Sequence, residues 1–428
     1  MKNIIYKLKL SYLAVIAGFV FLSSCNKSLE QLAPIPTPVY PTGNGIAATL
    51  AANANYSFYN ALITRAGMTA TLNDLTKTFT LIATDNAGMR IFVSAASGGL
   101  IPPVGAPDAT YLGFINSSLP VASAAGIVQY NIIGQKFPFA SFGTAFPNYP
   151  LTTQIILDPT QPFVRMNIFP VRGTPFSYIN NLPVIATDLA AANGVIHTAF
   201  SVAAPPSTVL KTMIAGESTL KYFRAAVARA DSGAVGLGRF DSLMNYGVTN
   251  MTILAPNDAA FQGLLTPLIT GALIAQGVPP ATAAATATAL VNAVDANGNP
   301  TVFSNPALYG SITAATVKGI IAYHLLASLT TSTTTPYQPN IRVFSNNVPG
   351  TAGFFIKTLV NGGFAAHPGV LAQSTYTGPA VTALRFTGLG TFPPGGAPYS
   401  GTAANAITRD KLAVNGVYHI LDRVLLPQ

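Results

Sequence analysis

Residues 252–261 read TILAPNDAAF, and this stretch decides the fold. Thr252, Ile253, Leu254 and Ala255 form a short apolar run, which predicts a strand buried on both faces. Pro256-Asn257-Asp258 then turns the chain, with Asn257 or Asp258 placed to cap a following helix and Phe261 one turn inside it. Residues 80–89, TLIATDNAGM, carry the same pattern 172 positions earlier. A second pair, residues 126–133 (GIVQYNII) and 319–326 (GIIAYHLL), lies 193 apart, and a third, 193–197 (NGVIH) and 415–419 (NGVYH), lies 222 apart. Preserved order with growing offsets means one unit used twice, the second copy carrying 50 more residues. A weaker match precedes these: residues 58–66 and 223–230 are apolar at helical spacing and end in Arg-Ala, at Arg65 and Arg229.

Within the second copy, residues 314–327 carry an apolar helical stripe of Val317, Ile320, Ile321 and Leu325. Asn415-Gly416 reads as a hairpin-type turn dipeptide, and residues 417–427 (VYHILDRVLLP) as a closing strand. The offsets place 21 of the extra residues between the first and second motifs and 29 between the second and third. Residues 281–290 are Ala/Thr-rich, 295–300 (DANGNP) are a turn cluster and 392–403 are loop-like. Long insertions of this kind are usually functional or disordered.

These motifs resemble the fasciclin domain family. Residues 252–261 look like its first signature, 322–326 (AYHLL) like its central Tyr-His motif, and 415–427 like its closing signature. The resemblance implies an α+β fold of two tandem fasciclin-like domains, each a small β-wedge or sandwich flanked by short helices. The domains are placed at 45–206 and 207–428, the second with insertions within about 266–315 and about 330–412. The first copy diverges: Thr84 stands for Pro256, Met89 for Phe261, Asn131 for His324, and Thr198-Ala199-Phe200 for Ile420-Leu421-Asp422. In related proteins the Tyr-His region is implicated in contacts. The resemblance therefore implies Tyr323, His324 and Leu325 as a partner-facing edge.

The N-terminus reads as an export signal over residues 1–24. Lys2, Lys7 and Lys9 are followed by an apolar run at 11–22 that is too short to span a bilayer comfortably. Leu22-Ser23-Ser24-Cys25 resembles the lipobox of bacterial lipoproteins, which implies cleavage before Cys25 and lipid attachment to it. Acyl chains contribute ~0.8 kcal/mol per buried methylene, enough together for stable anchoring. Asn26, by analogy with Gram-negative lipoproteins, points to the outer membrane. Residues 25–44 form a tether with Pro34, Pro36, Pro38 and Pro41. Cys25 is the only cysteine, which excludes an intramolecular disulfide and a Cys-rich metal site.

Of 428 residues, 50% are hydrophobic and 8% charged, against about 25% charged in an average soluble domain. That balance excludes a disordered polyelectrolyte and suits a secreted or surface protein. No apolar run of about 18 residues follows the signal, which excludes a multi-span membrane protein. The formal charge of +9 falls to +6 without the three N-terminal lysines, and the remaining cations are scattered. No basic stripe for nucleic acid exists. G-x-S-x-G, H-E-x-x-H, EF-hand and phosphate-loop patterns are missing, so no catalytic residue, metal or cofactor is expected. His197, His324 and His419 fall on repeat motifs. The structural reading gives them hydrogen bonds that lock the hairpins and a helix end; the other reading is an enzyme using His324 or His419. Aromatic clusters at 130–149 and 163–178 are either core packing or binding platforms. The expected function is a membrane-anchored surface lipoprotein mediating adhesion or binding to a protein or matrix, without catalysis. The alternative is a glycan-capture accessory of an outer-membrane polysaccharide uptake system.

Overall fold

The computed structural model describes residues 39–143, 148–173, 175–326, 342–350, 352–362, 369–389 and 403–427. The signal segment, Cys25, Pro34, Pro36, Pro38, His367 and residues 392–402 of the expected loop lie outside them. Residues 42–428 form a single compact unit by their contacts.

The first sheet is built from β1 (Phe79–Thr84), β2 (Ile132–Ile133), β3 (Leu151–Ile156), β4 (Arg165–Ile168), β5 (Pro170–Val171), β6 (Tyr178–Ile179), β7 (Leu182–Ala191) and β8 (Gly194–Ala199). Its spatial order is β4-β3-β2-β1-β8-β7-β6-β5. The second comprises β9 (Met251–Pro256), β10 (Leu325–Leu326), β11 (Phe354–Ile356), β12 (Val370–Thr377), β13 (Ala380–Thr387), β14 (Ala404–Ala413) and β15 (Gly416–Leu421), ordered β10-β9-β15-β14-β13-β12-β11. The fold is α+β, in two repeats with the same central topology.

The three sequence matches contribute three adjacent strands to each sheet, β2-β1-β8 in the first and β10-β9-β15 in the second. Thr80 pairs with Ile133 antiparallel and with Val195 in parallel. Thr252 pairs in the same way with Leu326 and Val417. The offsets of 172, 193 and 222 are thus one hydrogen-bonding register used twice. β1, β8, β9 and β15 are buried at every position, because apolar layers cover both faces of each sheet. In the second repeat one layer holds Phe223, Phe261 and Ile321 and the other Tyr323, Ile356 and Phe386. The first repeat divides likewise between Tyr59, Met89 and Val128 on one side and Ile82, Tyr130 and Ile168 on the other. Each such side chain contributes about 1.5–3 kcal/mol by burial.

Gly194 and Gly416 begin the closing strands where the backbones run closest. A Cβ on Gly416 would meet the Met251 carbonyl oxygen at 2.3 Å, and one on Gly194 the Phe79 carbonyl oxygen at 2.1 Å. Glycine is required there by contact, and neither residue has a positive φ. The Asn415-Gly416 reading is corrected accordingly. The turn centres on Val414-Asn415, and Gly416 already pairs with Ala413 in the ladder.

Two further expectations are corrected. The closing strand ends at Leu421, not near residue 427. Its parallel partner β9 ends at Pro256 and becomes a helix, so no ladder remains. The Asp422 N–H turns to the Asn405 carbonyl. Leu325 is also outside the helix it was assigned to: that helix spans Ala314–Tyr323, and Leu325 opens β10.

The first insertion is helical. Helix Asp258–Ala275 has 18 residues where its counterpart Asn86–Ala96 has 11. It is long and apolar enough to cross a membrane by composition, yet Phe261, Leu264, Leu265 and Ile269 enter the core. The Ala/Thr run becomes helix Pro280–Asn292, which buries Ala283, Ala287 and Val291 at every fourth position. Its proline sits in the first turn, where no amide hydrogen is needed. Between the second and third motifs the second repeat places β11, β12, β13 and β14, which continue the sheet beyond β15.

Candidate ligand-binding site at the junction of the repeats

Asn193 and Asn415 close each repeat on itself. Asn415 Oδ1 accepts from the Leu210 N–H at 2.8 Å. Its Nδ2 donates to the Met244 and Tyr246 carbonyls at 2.9 and 3.0 Å. Asn193 does the same with the Ile46 N–H and the Leu72 and Asp74 carbonyls. Leu210 and Ile46 begin helices whose own N-cap residues, Val209 and Gly45, supply no side-chain bond. The asparagine is a cap delivered from the far end of the repeat.

Asn257 caps helix Asp258–Ala275 through its side chain, accepting from the Ala260 N–H at 2.8 Å. Asp258 instead accepts from the Tyr222 N–H, tying that helix to helix Lys221–Ala230.

The histidines occupy matched buried positions. His419 Nδ1 accepts from the Asp410 N–H at 3.2 Å, and its Nε2 donates to the Val343 carbonyl at 2.8 Å. His197 pairs equally with the Asp188 N–H and the Phe137 carbonyl. Asp188 and Asp410 have φ of 58° and 57°, at irregularities in the β7–β8 and β14–β15 ladders. Both sit nine residues before the histidine, a pattern visible in the sequence that the motif reading passed over. His324 Nδ1 donates to the Ile320 carbonyl at 2.8 Å, and its Nε2 accepts from the Leu425 N–H at 2.9 Å. Asn131 stands in its place in the first repeat and bonds the Ile127 and Ala203 carbonyls. Burial favours neutral imidazole in all three histidines and pulls His324 down to about 4. Each uses both ring nitrogens structurally. Among the described residues no group of three or more His, Cys, Asp or Glu side chains is placed to hold a metal.

The partner-facing edge at Tyr323, His324 and Leu325 is corrected by their burial: they are 0%, 0% and 1% exposed. Tyr323 donates to the Gly369 carbonyl at 2.8 Å and receives the Leu389 N–H. The motif joins a helix end to the sheet, so its side chains face inward.

Open surface lies instead where the repeats meet. Phe169 and Phe344 pack with their rings tilted, 6.0 Å between ring centres, and Val417 completes that small core. Asn346 donates to the Asn180 carbonyl at 3.0 Å, Tyr178 to the Pro379 carbonyl at 2.9 Å, and Asn148 to Asn347 Oδ1 at 3.0 Å. Above these contacts opens a cleft of about 750 Å³, lined by Pro175, Phe176 and Tyr178 from one repeat and Asn346, Asn347, Phe354 and Tyr376 from the other. No charged side chain among the described residues lines it. Asn346 Oδ1 and Asn347 Nδ2 are buried with no hydrogen-bonding partner among the described residues. A second cleft of about 560 Å³ shares Tyr178 and Asn346 and ends at Arg409 and Asp410. Of the aromatic clusters, Tyr130, Phe142, Phe169 and Tyr178 are buried, whereas Tyr149, Phe163 and Phe176 remain exposed. Sequence reading missed Asn346 and Asn347 because they lie in an insertion with no counterpart to flag them.

The class defined by this arrangement is a tandem-repeat α+β scaffold with its principal cleft shared between repeats. No family model and no curated protein sequence matches the chain. Solved structures do match, 19 chains in all. One is the FAS1 domain pair of the insect cell adhesion molecule fasciclin I, at 12% identity over 86% of this chain and 95% of that one, with a TM-score of 0.29. At that score nothing is transferred from it, and the repeat topology rests on the two sheets themselves.

Proposed function

We propose that this chain is a lipid-anchored surface protein that binds a macromolecular partner through the junction of its fasciclin-like repeats, without catalysis. The junction cleft carries this reading: its described lining is uncharged and partly aromatic, with Asn346 and Asn347 among it. Sites of this size and make-up suit ligand binding. The full chain, immobilised and screened against matrix proteins and polysaccharides, is expected to retain at least one class. Phe176→Ser, at a residue 36% exposed on the cleft wall, is expected to weaken that retention at least tenfold. Retention unaffected by the substitution, or none at all, overturns the cleft as the binding site.

The same lining favours the second reading, capture of a neutral glycan, since aromatic faces and amides suit sugar rings. Retention by polysaccharides alone selects it; retention by proteins alone selects adhesion. The anchor has its own test. Cys25→Ser is expected to move the protein from the membrane to the soluble fraction, and continued membrane association would refute lipidation at Cys25.

A further inference from the structure

A second junction pocket, of about 280 Å³, lies between β3–β4 of the first repeat and residues 247–250 of the second. Its lining includes Arg165, Asn167, Thr249, Asn250 and Arg342. We propose that it is an oxyanion site, taking one carboxylate, sulfate or phosphate group on Arg342 and Arg165.

Arg342 is 3% exposed. Its Nε donates to Asn250 Oδ1, Nη1 to the Ala413 carbonyl and Nη2 to the Val414 carbonyl. The guanidinium lies 4.9 Å from the Phe169 ring centre. These partners are neutral or aromatic. None of the five ion pairs among the described residues includes Arg342 or Arg165.

Burial lowers the Arg342 pKa to about 10, which leaves it charged at neutral pH. The neighbouring Tyr130 phenol is pushed up by its own burial and stays neutral. A buried cation without an opposite charge is costly, and a guanidinium has five donors, of which three are used here. Arg165 is half-buried and spends Nη1 on the Gln154 carbonyl and Oε1. Two guanidiniums on one small polar pocket supply the donors and charge that an oxyanion requires. Asn250 and Thr249 contribute neutral groups to the same wall.

This inference is independent of the uncharged cleft. The test is calorimetric titration of the full chain, held in non-ionic detergent, with sodium sulfate at fixed ionic strength. Binding at one site is expected, with affinity falling at least tenfold in Arg165→Gln. Arg385→Gln removes an equal charge from the exposed side of β13 and is expected to bind as wild type. Titrations with phosphate, galacturonate and galactose identify the source. Galacturonate binding without galactose binding marks a sugar carboxylate, and sulfate or phosphate alone marks an inorganic ion. No binding of any anion, an unaltered Arg165→Gln, or an equal loss in Arg385→Gln overturns the site.

Discussion

Asn415→Ala is expected to destabilise the second repeat by about 3–4 kcal/mol, read as a fall in the denaturant midpoint with little change in slope. The side chain is fully buried and ties three segments far apart in sequence. Alanine leaves the Leu210 N–H and the Met244 carbonyl without their side-chain partner, while the Tyr246 carbonyl keeps the hydroxyl and N–H of Thr249. An unsatisfied buried polar group costs about 1–3 kcal/mol, and two such groups set the expected total. Asn193→Ala is expected to act alike in the first repeat, because its three contacts are equivalent. A loss below about 1 kcal/mol in Asn415→Ala would show that the distant cap is dispensable.

Stability is expected to fall as pH drops from about 6.5 to about 4, with His324 a principal cause. Its folded pKa is lowered from 6.5 to about 4 by burial. The unfolded chain therefore takes up the proton first. The contribution is complete above pH 6.5 and is lost as pH falls through the folded value. A shift of that size corresponds to about 3 kcal/mol. His197 and His419 are shifted in the same direction and add to the slope. His324→Asn copies the residue that the first repeat carries at Asn131. It is expected to cost about 1–2 kcal/mol at pH 7.5 and to flatten the pH dependence between 6.5 and 4. Urea midpoints at pH 7.5, 5.5 and 4.5 measure both effects. A variant whose acid loss equals that of wild type would remove His324 from the cause.

Much of the central fold was legible because strand pairing and close backbone contact constrain residue type. Gly194 and Gly416 recur because a Cβ would strike the neighbouring strand. Asn193 and Asn415 recur because only an amide both accepts from one segment and donates twice to another. The candidate site was less legible. Tyr323, His324 and Leu325 stand in a prominent motif, yet that prominence reflects buried hydrogen bonds. Arg342, Asn346 and Asn347 lie outside the repeated motifs, so comparison of the two copies could not single them out.

The sequence by itself determined the duplication and the order of the central elements, and the resemblance its motifs carry implied the α+β class. Short apolar runs, capping residues and turn residues act over a few positions, and two copies of the same pattern reinforce each other. The tertiary structure alone decided what lies between the copies. Asn148 meets Asn347 across 199 residues and Asn346 meets Asn180 across 166. Such contacts leave no local periodicity. They arise from the shape of two finished sheets brought together, and the cleft and the buried guanidinium at that junction exist only once both repeats have folded.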